Sequence, residues 1–276
     1  MSTVLLEHLV DDAALFPPAE APMATAVGGH RAVKVGPLGW LVGRFLCPAS
    51  RIPEMVGELR PDDAFAVGLI ADSGVTGLPG ALAEVAAEER LVLLAVEIPV
   101  AAGADAVAGV REALAVLPPG LRCYVELPRG EGWRPALAVV GAAGHGAKLR
   151  TGGPRADAFP TEAEVADFVY ACVATEIPFK CTAGLHNAVR HTDPETGFEH
   201  HGFLNLALAV AAAVRGDDPQ PVLAERDADR VAAAVRELDD ATAERARALY
   251  AGHGSCSLGE PAGDLLAMGL LDGDLA

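Results

Sequence analysis

Lysine is scarce in this chain: there are three, Lys34, Lys148 and Lys180, against 18 arginines. Basic charge of any kind is outweighed, and the formal net charge is −17. Such a surface repels nucleic-acid phosphates and anionic membranes, so neither is an expected partner. The five cysteines, Cys47, Cys123, Cys172, Cys181 and Cys256, contain no C-x-x-C pair. That pattern argues against a disulfide framework and suits a reducing, cytoplasmic setting. The opening "MSTVLLEHLVDDAALFPP" lacks the basic start of a signal peptide. The longest apolar run, "FLNLALAVAAAV", is too short to span a bilayer and reads as a buried helix. There is no G-x-G-x-x-G after a first strand and no Walker loop, so a nucleotide-binding fold has no signature here.

What is present is a repeat of apolar runs separated by Ala-rich helical stretches. The runs at 40–48, 64–72, 91–99, 122–128, 146–153 and 178–186 recur at roughly 24 to 32 residues, the size of a βα unit. Two weaker strand candidates follow at 201–205 and 254–261. Between them, "DAVAGVREALAVL" and "ALAEVAAEERL" carry apolar residues at helical spacing, and Thr161 followed by acids opens another helix. Continuous apolar strands alternating with helices mean a parallel sheet covered on both faces. Eight of them predict an α/β chain folded as a single (β/α)8 TIM-type barrel over 1–276, with an open doubly wound sheet as the alternative. Residues 1–39 read as an N-terminal cap segment, in which Asp11 and Asp12 approach the barrel from below or as a lid. Residues 214–250 read as a polar-faced helical excursion between strands seven and eight.

In such a barrel the chemistry sits at the C-terminal strand ends. Those ends carry Arg44, Asp72, Glu97, Glu126, Lys148, Arg150, Lys180, Thr182, His186, Asn205 and Ser255. Side chains alternate along a strand, so Lys148 and Arg150 share a face, as do Lys180 and Thr182. Either cation serves on a surface, but only lysine can shed its proton. A lysine in an apolar pocket beside a second cation has its pKa pushed down, and its neutral amine can form a Schiff base with a carbonyl. The plain alternative is a core ion pair with Glu97 or Glu126. The glycine turns, Gly152 and Gly153 among them, can expose backbone N–H groups to an anion beside Arg150. Cys181 and Cys256 have no base beside them in sequence and read as small core residues, with a nucleophilic cysteine as the less supported alternative.

The segment "AKLRTGG…FPTEAEVADFV…IPFKCTAGLH" is similar to the core of deoxyribose-phosphate aldolase and other class I aldolases. The resemblance covers about 45 residues. It implies Lys148 as the Schiff-base lysine and Lys180 as the lysine that tunes it. Arg150 and "TAGLHN" depart from the pattern of that family. Over its length the chain also resembles a family of bacterial barrel proteins to which no reaction is attached, through "DDAALFPPA", "GRFLCPASR", "KLRTGG", "FKCTAGLHNAVRH", "HGFLNLALA" and "GSCSLGEP".

Four of the eight histidines fall at 186, 191, 200 and 201, and the plain reading of their segment is a solvated loop in which histidines cap helices or face water. His186, directly after a turn, is the best proton shuttle among them, and His201 is a candidate for substrate binding. A rival reading puts a divalent metal on His186, His201 and Glu126, although no H-E-x-x-H spacing is present. The expectation is an enzyme that acts on a small anionic carbonyl compound by lysine chemistry, aldolase- or lyase-like, with no cofactor. Catalysis falls to Lys148, Lys180, Glu126 and His186. Binding falls to Arg150, Arg44, Thr182, Gly152, Gly153, Asn205, His201 and Ser255. A homo-oligomer is compatible with this reading, and a ligand-binding barrel without catalysis is its second rival.

Overall fold

A computed structural model describes residues 3–100 and 105–271 of the chain. Its main sheet is a closed parallel barrel in the order β1-β10-β7-β6-β5-β4-β3-β2. The strands are β1 (Val10–Asp12), β2 (Val42–Pro48), β3 (Phe65–Ile70), β4 (Leu91–Pro99), β5 (Cys123–Glu126), β6 (Gly146–Arg150), β7 (Phe179–Thr182) and β10 (Tyr250–Ser255). The remaining two, β8 (His191–Thr192) and β9 (Glu199–His200), form a small antiparallel hairpin after β7. The (β/α)8 architecture read from the strand spacing is therefore the fold, and the open-sheet alternative is not.

Three boundaries differ from expectation. The segment taken as an N-terminal cap contributes the first barrel strand, which pairs β10 on one side and β2 on the other and closes the barrel. A three-residue strand ending in two aspartates carries little strand propensity, and pairing with both neighbours supplies what sequence preference lacks. Residues 201–205 are not a strand. They lead into and begin the helix α7 (Phe203–Arg215), the apolar stretch whose short start periodicity alone cannot assign. The last strand runs over 250–255 rather than 254–261.

The helix α7 is buried from Phe203 to Ala213. A barrel helix ordinarily keeps one face in water. Here the excursion α8 (Gln220–Ala224), α9 (Ala228–Glu237) and α10 (Asp240–Leu249), together with α6 (Glu162–Ala174), packs around it. α6 opens on a capping box, with the Thr161 side chain on the Glu164 N–H and Glu164 reaching back to the Thr161 N–H at 2.7 Å.

Alternation sorts each strand. Phe45 and Phe65 face outward and meet His30 of α1 (Met23–Val35), whose Nδ1 lies 3.0 Å from Asp12. Asp11, one residue earlier, points the other way, into the barrel. Closure at β1 and β10 needs Gly252, which has φ +109°, and a Cβ there would lie 2.3 Å from the Leu9 carbonyl oxygen. At the other end of β7, Gly152 and Gly184 lie so close that a Cβ on Gly152 would approach the Gly184 Cα at 2.9 Å.

Candidate functional site

The barrel interior holds an unbroken chain of alternating charges. Arg44 donates from Nε to Asp11 Oδ1 at 3.0 Å, and its Nη2 stands 3.0 Å from Asp11 Oδ2. Asp11 Oδ2 accepts from Lys180 Nζ at 2.5 Å. Lys180 also pairs with Glu97 Oε1. The second Glu97 oxygen lies 2.7 Å from Lys148 Nζ, and Lys148 Nζ is 3.1 Å from Glu126 Oε2. Glu126 Oε1 accepts from Arg150 Nε at 2.7 Å. Every link crosses between different strands: β2, β1, β7, β4, β6, β5 and back to β6. The closed sheet assembles the chain from residues up to 169 positions apart.

Exposure runs in one direction along the upper part of this chain. The Lys180 and Glu97 side chains are 1% and 2% exposed, Lys148 is 7%, Glu126 14% and Arg150 50%. Arg150 ends β6 at the C-terminal mouth. Arg44 lies at the other end, in the first half of β2, where its Nη2 donates to the Ala251 carbonyl at 3.1 Å and its guanidinium covers the Tyr124 ring. Arg44 thus plugs the lower barrel and is not at the mouth, contrary to its expected role as a binding residue.

The electrostatics follow from the pairing. Burial opposes charge on Asp11, Glu97 and Glu126, yet flanking cations hold all three carboxyls below the usual carboxylate range. Burial likewise lowers Lys148, but Glu97 and Glu126 more than offset it and raise its pKa. This corrects the expected depression of a lysine by its neighbouring cation. Lys148 and Lys180 are register partners across β6 and β7, but a carboxylate separates their ammonium groups. Four cations face three carboxylates, so the chain keeps one surplus positive charge inside an acidic protein.

Other residues singled out from the sequence are distributed differently. Thr182 lies beside Arg150 in register at the mouth, and its carbonyl holds the Thr151 N–H and hydroxyl. Gly152 and Gly153 are packed tightly, the one on Gly184 and the other on Ala158, which accounts for both as close-approach glycines. Asn205 is not in the site. It lies in α7, accepts the Arg190 N–H, and donates to the carbonyls of Val222 and Glu225 at 2.8 and 2.9 Å. His201 is buried, with Nε2 2.7 Å from the Pro160 carbonyl and Nδ1 facing Arg190, so it ties loops together and does not join His186. Ser255 donates to the Ser257 carbonyl at 2.6 Å and shapes a turn. Among the described residues, no group of three or more His, Cys, Asp and Glu side chains is placed to hold a metal ion. The set His186, His201 and Glu126 is therefore not a metal site.

Two residues depart from their sequence reading. Asp11 is a central link, and its signal was an acidic pair directly after "HLV", at the end of a strand too short to recognise. Cys256 is half-buried beside His186, with Sγ 3.8 Å from Nδ1, and is not a core residue. No helix is long and apolar enough to cross a membrane among the described residues. The chain matches no protein-family profile, no curated protein and no solved structure. A parallel (β/α)8 barrel with charged side chains leading to its C-terminal mouth is an architecture compatible with an enzyme.

Proposed function

We propose that the chain is a lyase of the Schiff-base type, acting on a small carbonyl compound that carries an anionic group. The observation that carries this reading is the arrangement at the mouth, where Glu126 is shared between Lys148 and the half-exposed Arg150. Lys148 is the more accessible of the two interior lysines, and Lys180 lies beneath it, locked between Asp11 and Glu97.

The resting pairing keeps Lys148 protonated, so the reaction has to begin by unlocking it. An anionic substrate competes with Glu126 for Arg150. Once Glu126 loses the guanidinium, its affinity for a proton rises. It then takes the proton from Lys148 Nζ, and the neutral amine adds to the substrate carbonyl. The same carboxyl returns the proton to the carbinolamine oxygen, water leaves, and the Schiff base remains. Glu97 and Lys180 stay in place as a fixed pair below the reacting nitrogen. Substrate charge in this scheme is a trigger as well as a handle, and it distinguishes anionic from neutral carbonyl compounds.

Sodium borohydride reduction with a panel of anionic and neutral aldehydes, followed by intact mass and peptide mapping, tests the reading. The expected result is an adduct on Lys148, formed faster with anionic aldehydes, absent in Lys148→Arg and stripped of its charge preference in Arg150→Gln. A substrate that is turned over with no adduct on either interior lysine defeats it. The charged chain would then be a structural feature of a barrel with another task.

A further inference from the structure

Outside the interior chain, the barrel mouth carries a second group of reactive side chains. Cys256 follows β10 directly, and His186 follows β7 by four residues. These two strands are neighbours in the barrel, with Gly254 and Thr182 in register, so their trailing loops meet. Cys256 Sγ lies 3.8 Å from His186 Nδ1 and 4.0 Å from Nε2. Glu260, in the first turn of α11 (Gly259–Ala267), places Oε2 3.0 Å from His186 Nδ1. Asp264, one turn further on, anchors the same loop through the Asn187 side chain and the Ala188 N–H.

We propose that Cys256 is a nucleophilic thiol at the barrel mouth, with His186 as the base that takes its proton and Glu260 as the carboxylate that orients and charges the imidazole. The class of partner is a soft carbon electrophile. In the step, His186 Nδ1–H donates to Glu260, the thiol proton passes to Nε2, the Cys256 Sγ–C bond forms, and the leaving group departs with the electron pair of the bond it had to carbon. Glu260 compensates the imidazolium, which is the arrangement that activates a cysteine.

The remaining cysteines supply the contrast. Cys47, Cys123, Cys172 and Cys181 are buried. Burial pushes the Cys47 and Cys123 thiols up to about 12 and raises Cys172 and Cys181 as well. None of them can present a thiolate near neutrality. His186 is itself held above its usual range, first by its contact with Cys256 and then by Glu260. The other titratable groups that act on this ring are His200, on the β8–β9 hairpin, and His253 of β10. Burial lowers both, so both are neutral while His186 takes up its proton.

This inference does not depend on the lysine reading, because its test measures no turnover. The folded protein is treated with iodoacetamide from pH 5 to 9, and the adduct is mapped and its rate followed by mass spectrometry. Iodide is the leaving group. The expected result is one fast adduct, on Cys256. His186→Asn should slow alkylation at pH 7 by about tenfold or more and change its pH profile. Glu260→Gln, at an exposed position that does not threaten the fold, should act in the same direction with a smaller effect on the rate. An adduct that forms first on another cysteine overturns the proposal. So does a Cys256 profile that neither variant changes.

Discussion

Lys148 and Lys180 stand opposite each other across the β6–β7 ladder, yet Glu97 holds their ammonium groups apart, one carboxylate oxygen for each. Two scarce lysines in adjacent strands would repel one another in a dry barrel. With Glu97, Asp11 and Glu126 interleaved, the same lysines become links in a chain whose charges are satisfied at every step. The cost of burying these ions is met only while the chain is whole.

Glu97 is consequently the link whose loss costs most. Glu97→Gln leaves Lys148 with Glu126 alone and Lys180 with Asp11 alone, both still buried. Breaking a buried pair by removing one partner typically costs about 3–5 kcal/mol. Urea unfolding at pH 7 should show a loss in that range, and Asp167→Asn, in the exposed pair with Arg134, should show almost none.

His253 makes stability depend on pH. It is fully buried between β10 and α7, stacked on Phe203 at 5.1 Å, and neither ring nitrogen has a partner among the described residues. Burial lowers its pKa to about 3. An unfolded histidine titrates near 6.5, so between about 6.5 and about 3 the unfolded state binds the extra proton. The contribution of His253 is therefore complete above pH 6.5 and is lost as the pH falls toward 3. From pH 7 to pH 5 the loss is about 2 kcal/mol. His253→Phe should flatten this part of the stability curve, measured by urea unfolding at the two pH values.

Asn205 tests the reassignment of a residue from binding to architecture. Its amide joins the start of α7 to the Val222 and Glu225 carbonyls, and its oxygen holds the Arg190 N–H. Asn205→Ala leaves these buried groups unsatisfied, at about 1–3 kcal/mol for each group that finds no water. The melting temperature should drop, while iodoacetamide labelling of Cys256 in the folded protein should keep its rate.

Gly252 tests closure. A side chain at φ +109° is strained, and its Cβ would collide with the Leu9 carbonyl oxygen. Gly252→Ala should force β1 away from β10 and destabilise the fold, with Asp11 displaced from Lys180. Thermal unfolding should show a much larger effect than Gly216→Ala, where the φ is also positive but a Cβ would meet nothing within 4 Å.

Six of the eight barrel strands were legible because their apolar runs are long and evenly spaced. β1 was not, because three residues with two aspartates present neither a run nor a pattern. Residues 201–205 misled because the start of a fully apolar helix has no period to distinguish it from a strand. In the site, Lys148, Arg150, Lys180 and Glu126 could be picked out as unusual residues at strand ends. Arg44 and Asn205 stand at comparable places in the sequence but turn to the barrel floor and to a loop, and only their neighbours reveal it.

Composition and spacing by themselves determined a parallel barrel of βα units and the placing of two lysines in its interior strands. Both are local properties, fixed by which residues recur and how far apart. The charge state of Lys148 was decided by tertiary structure. It depends on Glu97 and Glu126, which approach from two other strands, and a pKa in a buried site is set by what lies within a few ångströms rather than by what is adjacent in the chain. The meeting of Cys256 with His186 has the same origin, since closing the sheet brings together the loops after β7 and β10 that the sequence separates by the whole α7–α10 excursion.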